Sequence, residues 1–450
     1  MAEPSANREI AMSLAFIPPG LPPNEAIQRM LVQRVDELRL SRGMIIGTSD
    51  ARERIFVAHG YRDGISNDPV KRDTIFEIGS ITKLFTALLL ADMAQRGEVG
   101  LDEPVAHLLP SEVSVPTRNG RDITLCDLAT HRSGLPKRPT NLQPRDPDDP
   151  YAHYTASELY EFLGEHELSS TPGDAYRYSN VGAGLLGHAL ARRAGARDYE
   201  TLLRDRILVP LAMNDTVIGL PPHLEQRLAS PHDSSLEAIP LWNLNVLAGA
   251  GALRSTAVDM LIFVEALGDA QSPIGSMVSP IVTPREQGGL GLGAPHPNGG
   301  ITIAHSGRTG GTRSHIRYIP EWERGIVVLS NSNVDAVVDL GVHILDTRCS
   351  PLWFRKEAAV DSAVFTRLIG RYQISPRRVL EVTNSDGRLF VRHTGEAIRL
   401  FPSSEWQYFY RAINAQITNA QITFEPGDDG RAARLILHEN GSDRIAVRVA

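Results

Sequence analysis

Apolar residues recur at helical spacing near the start of the chain and again through its middle. Asn24 is expected to cap the first helix, which Gly43 ends. The apolar face of that helix comprises Ile27, Met30, Leu31, Val35 and Leu38. From Ser80 to about Leu267, segments such as "LLGHALARRAGA" and "STAVDMLIFVEALGD" repeat the three-to-four spacing, which predicts a mostly helical region.

Short apolar runs predict strands on both sides of that helical region. "GMIIGTSD" and "RIFVAHGY" precede it, whereas "ITIAHSG", "RSHIRYIP" and "GIVVLSNS" follow it. "GGLGLGAP" and a turn at Pro297–Gly300 introduce the late strands, and "VVDLGVHILD" predicts a closing helix. Two early and three late strands imply one antiparallel sheet covered by helices. The expected fold is therefore α/β (α+β layered) with an inserted helical lobe.

The pattern changes again towards the C-terminus. "VLEVTNSDGRLFVRH", "WQYFYRAI" and "ARLILHENGSDRIAVRV" predict short strands and turns, hence a separate all-β domain. We divide the chain into a tail (1–23), a large layered domain (24–350), a linker (351–362) and this small domain (363–450). The duplication "NAQITNAQIT" at 414–423 is too short for a repeat fold and predicts a lengthened strand or loop.

Composition and charge are those of an ordinary globular protein. The hydrophobic fraction is 42%, and the net charge of −7 gives no reason to expect nucleic acid or an anionic membrane as a partner. The N-terminus does not resemble a secretory signal, and no apolar stretch is long enough to span a bilayer, so a cytoplasmic protein is expected. Cys126 and Cys349 form no C-x-x-C motif and are interpreted as thiols rather than a disulfide.

Lysine is scarce in this chain, which makes its position in "GSITK" informative. Only four of the 46 Lys and Arg residues are lysines, and Lys83 lies three residues after Ser80 on a predicted helix. Residues at that spacing are neighbours on one helix face, and a buried lysine can lose its proton and act as a base towards a serine. Arginine cannot do so. The alternative is a capping serine beside a lysine that extends to the surface.

Two further segments carry residues with useful chemistry. In "YRYSNVGAG", Tyr178 next to a lysine ammonium is expected to favour its phenolate. Asn180 is a possible donor to substrate or a partner of the lysine, the alternative being a helix cap. In "AHSGRTGG", Gly307 is expected to let substrate approach the end of a strand closely, and the backbone N–H of Arg308 follows it. An ordinary strand end before a turn is the alternative.

The ordered motifs S-x-x-K, Y-x-N and H-x-G resemble those of the penicillin-recognising serine hydrolases. This family includes class C β-lactamases, DD-peptidases, and related esterases and D-aminopeptidases. The resemblance covers roughly residues 25–350 and extends to "DLATHRSGLP", "GAGALRSTAVDM" and "IVVLSNSN". The C-terminal domain is similar to the lipocalin-like extension of some peptidases in this group, so a β-barrel is expected there.

The resemblance implies a role for each motif residue. Ser80 is implied as the acylated nucleophile, and Lys83 and Tyr178 as the groups that transfer protons. Asn180, His305 and Gly307 are implied in substrate binding, with the Ser80 and Arg308 amides forming the oxyanion hole. Many β-lactamases have a lysine where this chain has His305, and the histidine form is more similar to the esterase and aminopeptidase branch.

Other classes of site find little support in the sequence. No G-x-S-x-G or H-E-x-x-H motif occurs, so an α/β-hydrolase, a metal site and a cofactor are not expected. "GGLGLG" lacks the order of a nucleotide-binding loop. The Pro-rich segment 136–150 is interpreted as a solvated loop, or alternatively as a border of the active-site mouth.

The sequence therefore predicts a cofactor-independent serine hydrolase that forms an acyl-enzyme with a small molecule or short peptide. The bond that the enzyme is expected to cleave is that of a peptide-like amide or an ester. Acyl transfer from the same site and β-lactam hydrolysis are alternatives, and a non-catalytic penicillin-binding sensor is a further one from another class. Substrate identity and oligomeric state are left open.

Overall fold

The computed structural model describes residues 20–50, 53–283, 290, 294–295, 301–352, 354–376, 378–392, 397–410, 421–439 and 442–449. Three predicted features lie wholly or largely outside the described residues: most of the 1–23 tail, the 297–300 turn and most of the 414–423 duplication.

Strands from both ends of the large domain form one antiparallel sheet in the order β2-β1-β8-β7-β6-β5. Its members are β1 Gly43–Ser49, β2 Arg54–Gly60, β5 Ala294–Pro295, β6 Ile301–Arg308, β7 Arg313–Ile319 and β8 Arg324–Ser330. The early strand β1 pairs with the late strand β8, with Ile46 opposite Val328. The predicted sheet assembled from both ends of the segment is confirmed.

Helices lie before, within and after this set of strands. They are α1 Asn24–Val32, α2 Thr82–Gln95, α3 Leu125–Ala129, α4 Ala156–Glu165, α5 Asn180–Arg193, α6 Tyr199–Leu203, α7 Pro222–Glu225, α8 Ala257–Ala266, α9 Gly275–Val282, α10 Val338–Leu345 and, in the C-terminal part, α11 Phe365–Leu368. Helix α8 packs on β8 and β1, whereas α10 packs on β8 and β7. The layered arrangement of helices on an antiparallel sheet is confirmed.

Helix α2 is the central helix of the large domain. Its residues from Thr82 to Met93 are all buried, which is typical of a helix that is apolar around its whole circumference. Lys83 is the one cationic member of that run. A helix in such a position holds the groups at its N-terminus rigidly.

A second, two-stranded sheet was not predicted from the sequence. Strand β3, Ile75–Glu77, pairs with β4, Arg254–Thr256, in antiparallel register. Each strand has only three residues, too few for a clear period of two. The pairing fixes the chain just before Ser80 against the chain that follows Ala250.

The start of α1 differs from the prediction that Asn24 caps it. Asn24 is the first helical residue, and the N-cap is Pro23, at φ −63° and ψ 155°. Proline holds φ near this value and has no N–H to satisfy, so it suits the entrance to a helix. Ile27 and Leu31 of the predicted apolar face are buried as expected.

The C-terminal strands close into an eight-stranded barrel. They are β9 Gly370–Ser375, β10 Arg378–Ser385, β11 Arg388–Arg392, β12 Ile398–Pro402, β13 Gln407–Phe409, β14 Gln421–Pro426, β15 Ala432–Glu439 and β16 Ser442–Arg448. Side chains such as Tyr372, Tyr408 and Phe424 fill the interior, as an eight-stranded barrel permits. The predicted barrel is confirmed, and the domain limits 24–350, 351–362 and 363–450 remain predictions.

The barrel contacts a turn of the large domain. Arg388 forms an ion pair with Glu237 at 2.6 Å, and Arg399 donates to the Ser235 carbonyl at 3.3 Å. The same turn contributes Asp233 to the wall of the cleft described below. In the part of the chain that the structure describes, no helix has the length and apolar character needed to cross a membrane.

Candidate active site

Ser80 lies in a short 3₁₀ turn, Gly79–Ile81, that leads directly into α2. Gly79 has the left-handed φ of +51°, and a Cβ atom there would meet the Arg308 amide nitrogen at 2.6 Å. Glycine alone accommodates both this conformation and so close an approach. The glycine of "GSITK" therefore lets the end of β6 pack against the turn that carries the serine.

Lys83 lies in the first turn of α2 and is only 7% exposed. Its Nζ donates to Ser80 Oγ at 3.0 Å, to Asn180 Oδ1 at 3.0 Å and to the Ala250 carbonyl at 2.6 Å. None of these three partners is a carboxylate, and burial lowers the pKa of Lys83 to about 7. A substantial fraction of the lysine is therefore the neutral amine at neutral pH, a state that arginine does not reach.

Tyr178 precedes α5, and its hydroxyl donates to Ser80 Oγ at 2.8 Å. The Lys83 nitrogen lies 4.9 Å from the centre of the tyrosine ring. The expectation that the ammonium favours the phenolate is wrong, because burial outweighs other effects and raises the pKa of Tyr178. Lys83 therefore loses its proton at lower pH than Tyr178, and the phenol stays protonated at neutral pH.

Asn180 is the first residue of α5, whereas the cap of this helix is Ser179. The Ser179 hydroxyl accepts from the Gly182 amide at 2.9 Å, so the alternative role of Asn180 as the cap does not apply. Asn180 Oδ1 accepts from Lys83, so the side-chain Nδ2 is left as a donor. The residue lines the cleft. Asn180 thus contacts the lysine, one of the two interactions expected from the sequence.

The "HSG" segment forms the end of β6, which pairs with β7. A side chain on Gly307 would collide with the Ile78 carbonyl oxygen and the Ser314 hydroxyl. The glycine thus accommodates the protein's own backbone, a different reason from the close approach of substrate that the sequence suggested. The contact brings the Arg308 backbone next to Gly79 and so beside Ser80.

His305 lines the same cleft, and its Nδ1 donates to the Ser306 carbonyl at 2.9 Å. Burial, and next the nearby Lys83, lower its pKa to about 4. The imidazole is therefore neutral at pH 7, with Nε2 as an acceptor. His305 does not supply the permanent cation that a lysine would supply at this position.

The site residues open into a cleft of about 590 Å³. Its wall contains four cationic and two acidic side chains: Lys137, Arg138, Arg308, Arg313, Asp148 and Asp233. The cleft is therefore cationic in a chain whose net charge is −7. The 136–150 segment contributes several of these groups, so it borders the cleft and is not only a solvated loop.

Two contributors to the site escaped the sequence analysis. The Ala250 carbonyl is a partner of Lys83, but a backbone acceptor leaves no trace in residue type. Arg313 faces Arg308 across the β6–β7 pairing, and its Nε and Nη2 are buried without a hydrogen-bond partner among the described residues. Pairing the two predicted strands in register would have placed Arg313 beside the H-x-G motif.

Glu77 is a third residue that sequence reasoning missed. Its carboxylate accepts from the Thr309 hydroxyl at 2.6 Å and from the Trp242 amide at 2.7 Å, and burial raises its pKa. It thereby ties together two segments that line the cleft. Glu77 could have been recognised in the sequence as an acidic residue in an otherwise apolar run just before Ser80. In the same described ranges, no group of three or more His, Cys, Asp or Glu residues is placed to hold a metal ion.

The chain is similar to several known proteins. The model of the Beta-lactamase family matches residues 27–346. Penicillin-binding protein 4* of Bacillus subtilis (strain 168) is 27% identical over 86% of this chain and 91% of its own length. The D-alanyl-D-alanine-carboxypeptidase/endopeptidase AmpH of Escherichia coli (strain K12) is 32% identical over 50% of this chain and 56% of its own. The structure of a beta-lactamase from Sulfitobacter sp. EE-36 is 25% identical, with a TM-score of 0.60 over 73% of this chain and 98% of that one.

Proposed function

The chain belongs to the beta-lactamase family of serine hydrolases, and we propose that it cleaves peptide-like amides or esters through an acyl-enzyme on Ser80. One observation carries the proposal. Ser80 Oγ lies within hydrogen-bond distance of both Lys83 Nζ and the Tyr178 hydroxyl. A weak nucleophile is thus placed beside a base whose pKa is about 7 and an acid that stays protonated.

In acylation, neutral Lys83 takes the Ser80 hydroxyl proton while Oγ attacks the substrate carbonyl carbon. The Ser80 and Arg308 amides are proposed to hold the oxyanion, at the N-terminus of α2 where the helix dipole also favours negative charge. Tyr178 gives its proton to the leaving amine or alcohol, and the Lys83 ammonium restores the phenol. Lys83 is then neutral again and takes a proton from the water that cleaves the acyl-enzyme, returning it to Ser80.

A neutral His305 supports amides and simple esters as the preferred substrates. At the position where many β-lactamases have a permanent cation, this chain has an imidazole with a pKa of about 4. Such a group attracts a substrate carboxylate weakly. The peptidase or esterase activity is therefore proposed ahead of β-lactam hydrolysis.

One observation favours, as the second candidate, substrates that carry a carboxylate, as in β-lactamase or carboxypeptidase activity. Arg313 lines the cleft, and its Nε and Nη2 are buried with no hydrogen-bond partner among the described residues, although the Asp335 carboxylate lies close enough to favour its charge. A guanidinium is suited to bidentate recognition of a carboxylate, so a penicillin or a peptide C-terminus would find its cation there. Both activities occur in the names of its relatives, the D-alanyl-D-alanine-carboxypeptidase/endopeptidase AmpH and the beta-lactamase of Escherichia coli.

A panel of D- and L-aminoacyl amides, short-chain esters and a chromogenic cephalosporin tests these candidates, with the Ser80→Ala protein as the blank. We expect turnover of amides or esters at a higher kcat/KM than that of the cephalosporin. A cephalosporin preferred over all neutral substrates would make β-lactamase the better description. Added amine or alcohol acceptors distinguish acyl transfer from hydrolysis, because only transfer yields a new amide or ester product.

A further inference from the structure

His131, which follows α3, has an uncommon backbone conformation. Its φ is +58°, in the left-handed region that glycine and asparagine adopt more readily, and the residue is buried. Strained conformations of this kind persist where the surroundings determine them, and they are frequent at functional sites. The contacts of His131 identify the residues that this conformation places it against.

His131 contacts Tyr178 and both residues that flank it. The Arg177 amide donates to the His131 carbonyl at 2.7 Å, and the Ser179 amide donates to His131 Nδ1 at 3.3 Å. The imidazole ring packs against the Tyr178 ring, with centroids 4.4 Å apart and planes at 42°. One residue thus holds the backbone on each side of the tyrosine and also supports its ring.

The hydrogen bond from Ser179 requires an unprotonated Nδ1, since a protonated imidazole has two donors and no acceptor. Burial, followed by the charges of Lys83 and His305, lowers the pKa of His131 to about 3. The imidazole therefore remains neutral throughout the pH range in which Lys83 titrates. Protonation therefore does not remove the Nδ1 acceptor from the Ser179 amide in that range.

We propose that His131 is a positioning residue that fixes the Tyr178 hydroxyl on Ser80 Oγ, acting through the two backbone hydrogen bonds and the ring contact. This inference rests on the proposed function, in which Tyr178 transfers a proton. A displacement of about 1 Å in a reacting group is enough to cost on the order of 100-fold in rate. His131 is not among the residues that line the cleft, so we expect its effect on catalysis to pass through Tyr178.

Two variants separate the acceptor from the rest of the side chain. His131→Gly suits φ +58° and removes both the ring and Nδ1. His131→Asn tolerates the same conformation and keeps an acceptor, Oδ1, the same number of bonds from the backbone as Nδ1. Asn119→Gly is the matched control, because Asn119 has φ +53° and is exposed.

The decisive measurement is a double-mutant cycle with Tyr178→Phe, read as kcat and KM on the best ester of the panel. With Tyr178 intact, we expect His131→Gly to lower kcat about 100-fold with KM within about twofold, and His131→Asn to keep kcat within about fivefold of wild type. In the Tyr178→Phe protein, the same glycine change is expected to alter kcat by less than about twofold, because residues that act as one unit are not additive.

Equal losses in the two backgrounds would assign His131 a merely structural role and overturn the inference, as would wild-type kcat in a folded His131→Gly protein. A His131→Asn protein with a kcat as low as that of His131→Gly would overturn the role assigned to the Nδ1 acceptor. Failure of the proposed function has a different signature, namely Tyr178→Phe alone keeping its kcat. If His131→Gly does not fold by circular dichroism, His131→Gln replaces it in the cycle, since its acceptor lies one bond farther out.

Discussion

The active-site cleft contains a partly buried tyrosine beneath a cation, and the barrel interior contains a fully buried one. In the cleft, Lys83 Nζ lies 4.9 Å from the centre of the Tyr178 ring, and the phenol donates to Ser80 Oγ. In the barrel, the Arg448 guanidinium lies 5.7 Å from the centre of the Tyr372 ring, and that phenol donates to the Leu368 carbonyl at 2.6 Å. Burial raises the pKa of both tyrosines, that of Tyr372 to about 12.

The difference between the two pairs lies in the partners and not in the tyrosines. Arg448 always carries its charge, and Tyr372 is bonded to a carbonyl that has no reaction to undergo. Lys83 loses its proton near pH 7, and Tyr178 is hydrogen-bonded to Ser80, the proposed nucleophile. A buried tyrosine with a raised pKa is therefore no evidence of catalysis by itself. Its meaning depends on whether the neighbouring cation and the hydrogen-bond acceptor can change state.

Removing the proposed nucleophile should have the largest effect, the complete loss of turnover. We expect Ser80→Ala to abolish turnover and covalent acylation without unfolding the protein, because the lost hydroxyl leaves no sizeable cavity. Mass spectrometry after incubation with substrate measures the adduct, and the exposed barrel residue Ser385, changed to Ala, is the control. An acyl group found on another residue would contradict the assignment of Ser80.

Replacing Lys83 by an arginine, the cation of the barrel pair, should have the next largest effect on kcat. Lys83→Arg should lower kcat nearly as much as Lys83→Ala, by about 10²–10⁴, because an arginine keeps the charge but cannot accept the serine proton. The reverse exchange, Arg448→Lys, should leave kcat unchanged. Near-normal kcat in Lys83→Arg would mean that Lys83 acts only electrostatically.

The pH profile tests the same difference without a mutation. In the proposed mechanism Lys83 acts as a base in its neutral form, so kcat/KM should rise with pH and level off above a pKa of about 7. Well below that value the slope should approach a tenfold change for each pH unit, since the neutral fraction falls in that proportion. A rate that instead falls as pH rises through 7 would show that the ammonium is the active form.

The same substitution should affect different properties at the two tyrosines, kcat at Tyr178 and the free energy of unfolding at Tyr372. Tyr178→Phe should lower kcat by about 10²–10³, as loss of an acid or base does. Tyr372→Phe leaves a buried carbonyl without its donor, which should cost about 1–3 kcal/mol in the free energy of unfolding at unchanged kcat. Urea titration and steady-state kinetics on both proteins check the pattern, and equal effects on kcat would contradict it.

Placing a permanent cation at position 305 should have the smallest effect. His305→Lys should raise kcat/KM for a penicillin relative to a neutral ester by about tenfold at pH 7, because charge-assisted hydrogen bonds are roughly twice as strong as neutral ones. Arg313→Gln is the companion variant, and we expect it to shift the ratio the other way. A wild-type protein that already prefers the penicillin would favour β-lactamase over the peptidase or esterase proposal.

Local spacing in the sequence was sufficient for part of the site. Ser80 and Lys83 are three residues apart, and helical geometry alone makes them neighbours, so their 3.0 Å contact was predictable. The scarcity of lysine indicated that the base had to lose its proton. The paired early and late strands and the C-terminal barrel likewise followed from periodicity and turn residues, which act over a few positions.

The tertiary structure decided the rest. Asn180 and Ala250 reach Lys83 from 97 and 167 positions away, and no local pattern specifies that meeting. The protonation order of Lys83 and Tyr178 was also hidden, because a pKa depends on how completely other elements cover a group. The sequence by itself determined which side chains have the required chemistry and which of them are close along one helix. Packing of distant segments determined their partners and their burial, and hence which proton moves first.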